Sequence, residues 1–116
     1  MATLTVNQVT QAGFRDDNAL VAAAGGGDAF APTDKTFVRV NNAGGGAITV
    51  TFATPSTVDA GGGSTLAVAD GGGSVTNAQS RLFGPFPAAL YADVTTGLCN
   101  VTYSGVTSVT IGVFKL

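Results

Sequence analysis

Four runs of three glycines interrupt this chain of 116 residues and divide it into short segments rich in threonine and valine. The runs occupy positions 25–27, 44–46, 61–63 and 71–73. Glycine adopts positive φ without steric cost but loses more entropy on folding than any other residue. Three in succession therefore favour a turn over the interior of a helix or strand, and the folded elements are predicted between the runs. None of the runs leads into the Lys-Ser/Thr pair of a phosphate-binding loop.

Alternation of apolar and polar residues predicts strands between these turns, clearest at 2–10, 35–41, 47–53, 98–104 and 106–116. Strands 35–41 and 47–53 are predicted to form a hairpin around glycines 44–46. Residues 18–24 fit a short helix and an extended segment equally well. The segment 81–87 contains two prolines, so a strand there is an edge strand or is broken. The pattern predicts an all-β fold, an antiparallel, jelly-roll-like β-sandwich of about seven or eight short strands.

The length fits a single domain. Residues 1–24 are predicted to be an N-terminal strand or arm and linker that packs on or extends from a sandwich core of residues 25–116. Only 10% of residues are charged, and the five cations are scattered, which argues against nucleic-acid binding. No apolar run has the ~20 residues of a membrane span, and no signal peptide is evident. A single cysteine excludes an internal disulfide, so folding in a reducing cytoplasm is the simplest expectation.

The side chains available for catalysis are few, because histidine and glutamate are both absent. The aspartate pairs Asp16–Asp17 and Asp28–Asp34 lie at positions typical of turns and caps. Calcium binding by Asp59 and Asp70 is an alternative, although no acidic calcium loop is present. Cys99 lies on the apolar face of a predicted strand and fits a buried structural cysteine better than a nucleophile. We therefore expect no enzyme activity, no metal and no cofactor.

An apolar, proline-containing cluster follows residue 81. It packs in the core under a long connection or forms a ridge that binds another subunit, since aromatic residues are enriched at interface cores. The candidate interface residues are those of the ridge and two from the N-terminal arm: Phe83, Pro85, Phe86, Pro87, Leu90, Tyr91, Leu4 and Val6.

Five segments in a fixed order carry a resemblance to a known family. They are Gly-Gly-Asp-Ala-Phe (26–30), Phe-Val-Arg-Val-Asn-Asn (37–42), Ile-Thr-Val-Thr-Phe-Ala-Thr-Pro (48–55), Phe-Gly-Pro-Phe-Pro (83–87) and Val-Thr-Tyr-Ser-Gly-Val-Thr-Ser-Val-Thr (101–110). From about residue 26 to the end, the chain resembles the small all-β head decoration or minor capsid proteins of tailed phages that infect actinobacteria. These motifs are structural rather than catalytic.

The resemblance implies a structural virion protein on the capsid exterior, assembled in the host cytoplasm. It implies that the chain binds the major capsid protein at many equivalent sites and stabilises the head. Self-association is also implied, because such proteins are often trimers. Two alternatives remain open: a host- or glycan-binding module on the virion surface, and a tail or neck component with the same fold.

Overall fold

The computed structural model of the chain describes residues 2–15, 19–55 and 57–116, with the backbone alone at positions 2, 57–60, 65 and 67. Within these ranges twelve strands and one short helix form. In chain order they are β1 (Ala2–Thr3), β2 (Val6–Gln8), β3 (Val21–Ala22), β4 (Asp28–Phe30), β5 (Thr36–Asn42), β6 (Ile48–Phe52), β7 (Thr57–Gly61), β8 (Ser64–Ala67), β9 (Gly71–Val75), β10 (Gln79–Phe83), α1 (Ala88–Tyr91), β11 (Cys99–Tyr103) and β12 (Val109–Lys115).

The strands form two main sheets and a separate β7–β8 hairpin. Sheet 1 has the order β1-β4-β11-β6-β9, and sheet 2 has the order β10-β5-β12-β2, with β3 also paired to β12. The pairings are antiparallel except β1 with β4 and β2 with β12. The all-β expectation is confirmed. The strands outnumber the seven or eight expected, because the N-terminal segment and one glycine run form short strands that alternation alone does not reveal.

A single hydrophobic cluster takes side chains from both sheets. In β5 the burial alternates strictly, so that Val38 and Val40 are fully buried while the residues between them are partly exposed. Val50 and Phe52 of β6 and Ile111 of β12 join the same cluster. Each such side chain stabilises the fold by about 1.5–3 kcal/mol. The faces predicted from the period-two pattern are therefore correct.

The predicted hairpin between residues 35–41 and 47–53 is wrong. β5 pairs with β10 and β12 in sheet 2, whereas β6 pairs with β11 and β9 in sheet 1. The loop with Gly44 to Gly46 thus carries the chain from one sheet to the other. The physical reason is that each strand has one complete apolar face. Such a face is buried equally well whether the two strands lie in opposite sheets across the core or are neighbours in one sheet, so alternation does not determine the pairing.

The glycine run at 71–73 is also not a turn, because it lies in β9 and pairs with β6. Gly72 has φ +118°, and a Cβ there would lie 2.0 Å from the Val50 carbonyl oxygen. A Cβ on Gly71 would lie 2.8 Å from the Tyr91 hydroxyl. These glycines are required by close approach rather than by a reversal of the chain. The runs at 25–27 and 61–63 do form turns, as predicted.

The N-terminal segment packs on the core rather than extending from it. The single strand predicted for residues 2–10 is divided, since β1 pairs with β4 of sheet 1 and β2 pairs with β12 of sheet 2. Leu4, between the two strands, is 9% exposed and joins the core. The ambiguous segment 18–24 is extended at β3, while residues 16–18, with Asp16 and Asp17, lie outside the described residues.

Candidate functional site

Of the aspartates with described side chains, Asp70 and Asp93 serve structural roles and Asp34 is exposed, with Asp28 as the exception. Asp70 accepts hydrogen bonds at Oδ1 from the backbone N–H of Thr54, 3.0 Å away, and from its hydroxyl, 2.9 Å away. Asp93 accepts the backbone N–H groups of the turn that follows α1. Among the described residues, no group of three cysteine or acidic side chains is placed to hold a metal ion. The side chain of Asp59, the other proposed calcium ligand, lies outside the described part, so that alternative stays untested.

Cys99 is fully buried in β11, as its position on an apolar strand face predicts. Burial, with a smaller contribution from the charge of Asp70, raises the pKa of its thiol to about 12. The thiol is therefore protonated at neutral pH, and a protonated thiol is a poor nucleophile. Its environment is that of a structural cysteine.

Phe86, a predicted interface residue, lies at the centre of an aromatic cluster in the core. It is 2% exposed, and its ring centroid lies 4.6 Å from that of Phe52, 5.2 Å from that of Phe30 and 5.2 Å from that of Tyr91. Leu4 of the predicted arm is buried as well. Both side chains pack in the core cluster, which for Phe86 corresponds to the core alternative predicted for its segment.

The other members of the predicted ridge are only partly available. Pro85 is exposed, whereas Phe83, Pro87, Leu90 and Tyr91 are half-buried, as is Val6 in β2. Phe83 and Tyr91 pack against the core cluster. Strand β10 is the edge of sheet 2 and ends at Phe83, before the first proline, and α1 begins after Pro87. Of the two predicted possibilities, an edge strand or a broken one, β10 is an edge strand that ends before the prolines, while a role of the ridge in binding stays a prediction.

A different apolar surface lies on the outer side of sheet 2. Phe37 of β5 and Phe114 of β12 are directly paired and face away from the core, because their neighbours Val38 and Val113 face inward. Their rings stack with centroids 5.6 Å apart, and Phe14 contacts Phe114 edge-on at 5.8 Å. We name this surface the aromatic face and define it by the residues that line its groove of about 320 Å³: Val9, Phe14, Phe37, Arg39, Leu82 and Phe114.

The aromatic face has a buried floor and an exposed rim. Phe114 is 2% exposed, whereas Phe14 is 41% and Leu82 63% exposed. Gly112 makes the close packing possible, since a Cβ there would lie 3.0 Å from the Phe114 ring and 3.0 Å from a Leu20 methyl group. The alternation within residues 35–41 puts Phe37 and Val38 on opposite faces of the strand, and this was the available signal. The pairing of β5 with β12, which brings Phe114 beside Phe37, joins residues 77 positions apart and was not evident.

The exception among the aspartates is Asp28, the first residue of β4, which is fully buried rather than at an exposed turn. Its Oδ2 accepts hydrogen bonds from the Tyr103 hydroxyl at 2.7 Å and from the Ala24 N–H at 3.2 Å. Its Oδ1 is buried and has no hydrogen-bond partner. Burial, together with the hydrogen bond to Asp28 and its charge, raises the pKa of Tyr103 far above its ordinary value. The phenol therefore stays a proton donor to the carboxylate.

Comparison with protein-family models, with curated proteins and with solved structures found no match for this chain. The resemblance to phage decoration proteins therefore rests on the quoted motifs alone. No helix in the described ranges has both the length and the hydropathy of a membrane span.

Proposed function

We propose that this chain is a structural protein of a phage head, which binds the major capsid protein through the aromatic face and stabilises the shell. The observation that carries the binding role is the apolar rim on the outer side of sheet 2, where Leu82 and Phe14 are exposed beside paired aromatic rings. The assignment to a capsid is supported by the resemblance of the motifs.

The aromatic face has the composition of a protein-binding surface. Aromatic residues and arginine are enriched in interface cores, and they account for much of the binding energy where water is excluded. Here Phe14, Phe37 and Phe114 adjoin Arg39, and a leucine from the neighbouring strand completes the groove. Burial of apolar surface contributes roughly 25 cal/mol per Å² before the costs of association are subtracted. A partner that covers the exposed rim therefore gains binding free energy from the apolar surface that the contact buries.

We assign the fold to the jelly-roll-like sandwiches, and this scaffold suits a docking role. From β4 to β6 and again from β9 to β12, consecutive strands alternate between the sheets: β4, β6, β9 and β11 belong to sheet 1, whereas β5, β10 and β12 belong to sheet 2. The outer side of sheet 2 is built on β5 and β12, the two longest strands, at seven residues each. A docking surface on paired long strands keeps its shape on binding, which lowers the entropic cost of association.

Decoration of a shell also explains how a modest surface produces a large effect. Many copies that each bridge neighbouring capsid subunits add their small contributions, since a bridged subunit must break several contacts to leave. In this proposal the copies associate around local threefold positions of the shell. The low charge of the chain, 10% of residues, fits a protein whose surface is partly covered in its assembly.

The first test is the copy number of the chain in purified virions, measured by quantitative mass spectrometry. Hundreds of copies fit a protein that coats the shell, whereas about six to twelve fit a closed cyclic ring in the neck or tail. Absence from the particles contradicts the proposal.

The second test concerns the surface. Leu82→Asp places a charge on the aromatic face, and we expect it to weaken binding to undecorated heads at least about tenfold. Val94→Asp is the matched control, because Val94 is 94% exposed and does not line the groove. Equal binding by the two variants would show that the aromatic face is not the docking surface.

A further inference from the structure

A second cavity lies where the N-terminal segment crosses between the two sheets. It has a volume of about 500 Å³ and is lined partly by the N-terminal residues Thr3, Leu4, Thr5 and Asn7. Aliphatic side chains, including Val21, Ile111 and Val113, form much of the remaining wall. Among the described lining residues, Asp28 contributes the one charged side chain.

The carboxylate of Asp28 is only partly satisfied by the protein. Its two hydrogen-bond donors, the Tyr103 hydroxyl and the Ala24 N–H, both contact Oδ2, and Oδ1 has no partner although it is buried. A buried carboxylate oxygen without a hydrogen bond is costly, because water no longer solvates it. Neither donor is a cation. The chain thus retains a buried acceptor at the wall of a cavity with aliphatic sides.

We propose that this cavity binds a primary alkylammonium group, with the N–H groups directed to Asp28 Oδ1 and the alkyl chain along the aliphatic wall. A guanidinium group fits less well, because its paired N–H groups require two free carboxylate oxygens and Oδ2 is already occupied. Calcium fits less well too, because it takes six to eight oxygen ligands and the lining residues that the structure describes supply a single carboxylate. An ammonium group needs only one strong acceptor and a place for its alkyl chain.

Access to Oδ1 requires the N-terminal segment to move, since Asp28 has no exposed surface. Few backbone pairings hold this segment. β1 contributes two paired residues, and β2 contributes three. Between them, the Leu4 N–H donates to the Ala29 carbonyl at 2.7 Å. Short edge strands open at lower free-energy cost than the central strands, so the ligand enters by displacing residues 3–5, which exposes Leu4 but leaves the pairing of the central strands intact.

The site stands independently of the proposed function, because the cavity is lined by none of the residues of the aromatic face. A primary ammonium comes from either a free amine or a lysine side chain of another protein. The test therefore uses n-butylammonium chloride and, in a second arm, a short peptide with one lysine, each compared with a partner that lacks the N–H donors. These partners are n-butyltrimethylammonium and the same peptide with trimethyl-lysine.

Binding is followed by NMR as saturable shifts of the Tyr103 and Asp28 signals during titration of the isotope-labelled full chain. We expect n-butylammonium or the lysine peptide to saturate these shifts at millimolar concentration, and the partners without N–H donors to bind at least about tenfold more weakly. If only the peptide saturates the shifts, the ligand is a lysine side chain of another protein. If both probes saturate them, a primary alkylammonium group is sufficient for binding.

The matched variants are Asp28→Asn, which removes the charge and keeps the shape, and Asp34→Asn, which neutralises an exposed aspartate outside the cavity. We expect loss of binding in the first and unchanged binding in the second. If Asp28→Asn does not fold, the comparison of n-butylammonium with n-butyltrimethylammonium on the unmodified chain decides. Absence of saturable shifts with both probes, equal affinity of Asp28→Asn and the unmodified chain, or shifts produced by calcium chloride alone would each overturn the proposal.

Discussion

Substitution of Phe86 by alanine separates the two interpretations of the segment after β10. An interface ridge would lose binding and keep its stability, whereas a core residue would lose stability. The structure places Phe86 among three other aromatic rings, with centroid distances of 4.6 Å to Phe52 and 5.2 Å to both Phe30 and Tyr91. The Phe86 N–H also donates to the Thr33 carbonyl at 3.3 Å, which fixes the start of the connection.

The expected loss is about 4 kcal/mol in the free energy of unfolding. Removal of a buried phenylalanine side chain costs ~3–5 kcal/mol, and the upper part of that range applies where rings pack against rings. The entropy of unfolding is about 2.1 cal/mol/K per residue, or about 0.24 kcal/mol/K for the 116 residues of this chain. The midpoint of thermal unfolding should therefore fall by about 15 °C.

The measurement is denaturant unfolding followed by far-ultraviolet circular dichroism, with a thermal scan as a second readout. Phe86→Leu is the graded control, and its loss should be intermediate because more of the cavity stays filled. Leu82→Ala is the surface control, with an expected change within about 0.5 kcal/mol at a side chain that is 63% exposed. A loss below about 1 kcal/mol for Phe86→Ala, with an unchanged denaturant slope, would refute the assignment of Phe86 to the core.

Three further outcomes follow from the structure. Gly72→Ala should lower the free energy of unfolding by about 2 kcal/mol or more, because the new Cβ meets the Val50 carbonyl, whereas Gly45→Ala, which enters open space, should change it by less than about 1 kcal/mol in the same denaturant titration. The Cys99 thiol should resist a disulfide reagent at pH 8 until the chain unfolds. Because folding raises the pKa of Cys99 from 9.0 to about 12, its contribution to stability should be complete below about pH 9 and decline toward pH 12, measured against Cys99→Ala. Asp70→Ala should cost about 1–2 kcal/mol by calorimetry, since it leaves the Thr54 N–H without its acceptor.

The strands with strict alternation were predictable from the sequence, and their partners were not. The pattern of Val38 and Val40 against Phe37 and Arg39 determines the faces of β5, and the structure confirms them. Alternation shows which side chains of a strand are buried but not which strand is its neighbour. The apolar face is buried equally well when two strands pair within one sheet and when they lie in opposite sheets. The predicted β5–β6 hairpin failed for this reason. The position of β9 was hidden for a second reason, because local propensity assigns three glycines to a turn and the packing of Tyr91 over Gly71 overrides it.

The aromatic face was not predictable from clustering along the sequence. Clustering drew attention to residues 83–91, where the aromatic residues left a core cluster and an interface ridge both open. Burial depends on contacts across the fold, and Phe86 finds its partners at Phe30 and Phe52, far away in the chain. The aromatic face is dispersed in the sequence, since β2, β5, β10 and β12 with their flanking residues each contribute one or two members. A surface assembled from separate strands leaves no local motif, and only the pairing register brings it together.

The aromatic face also explains why Leu82 and Phe14, two large apolar side chains, are exposed in this weakly charged chain. Isolated apolar residues such as Val94 and Leu66 are common on protein surfaces and require no explanation. Leu82 and Phe14 differ, because they border one groove whose floor is a stacked pair of rings, and Gly112 keeps that floor flat by leaving room for Phe114. Packing on the outer side of the sheet buries Phe114, which stabilises the fold, but leaves the Leu82 and Phe14 side chains exposed to water. In the proposal, a second protein removes this apolar rim from water, which is why the aromatic face, rather than the ridge at 83–91, is assigned the docking role.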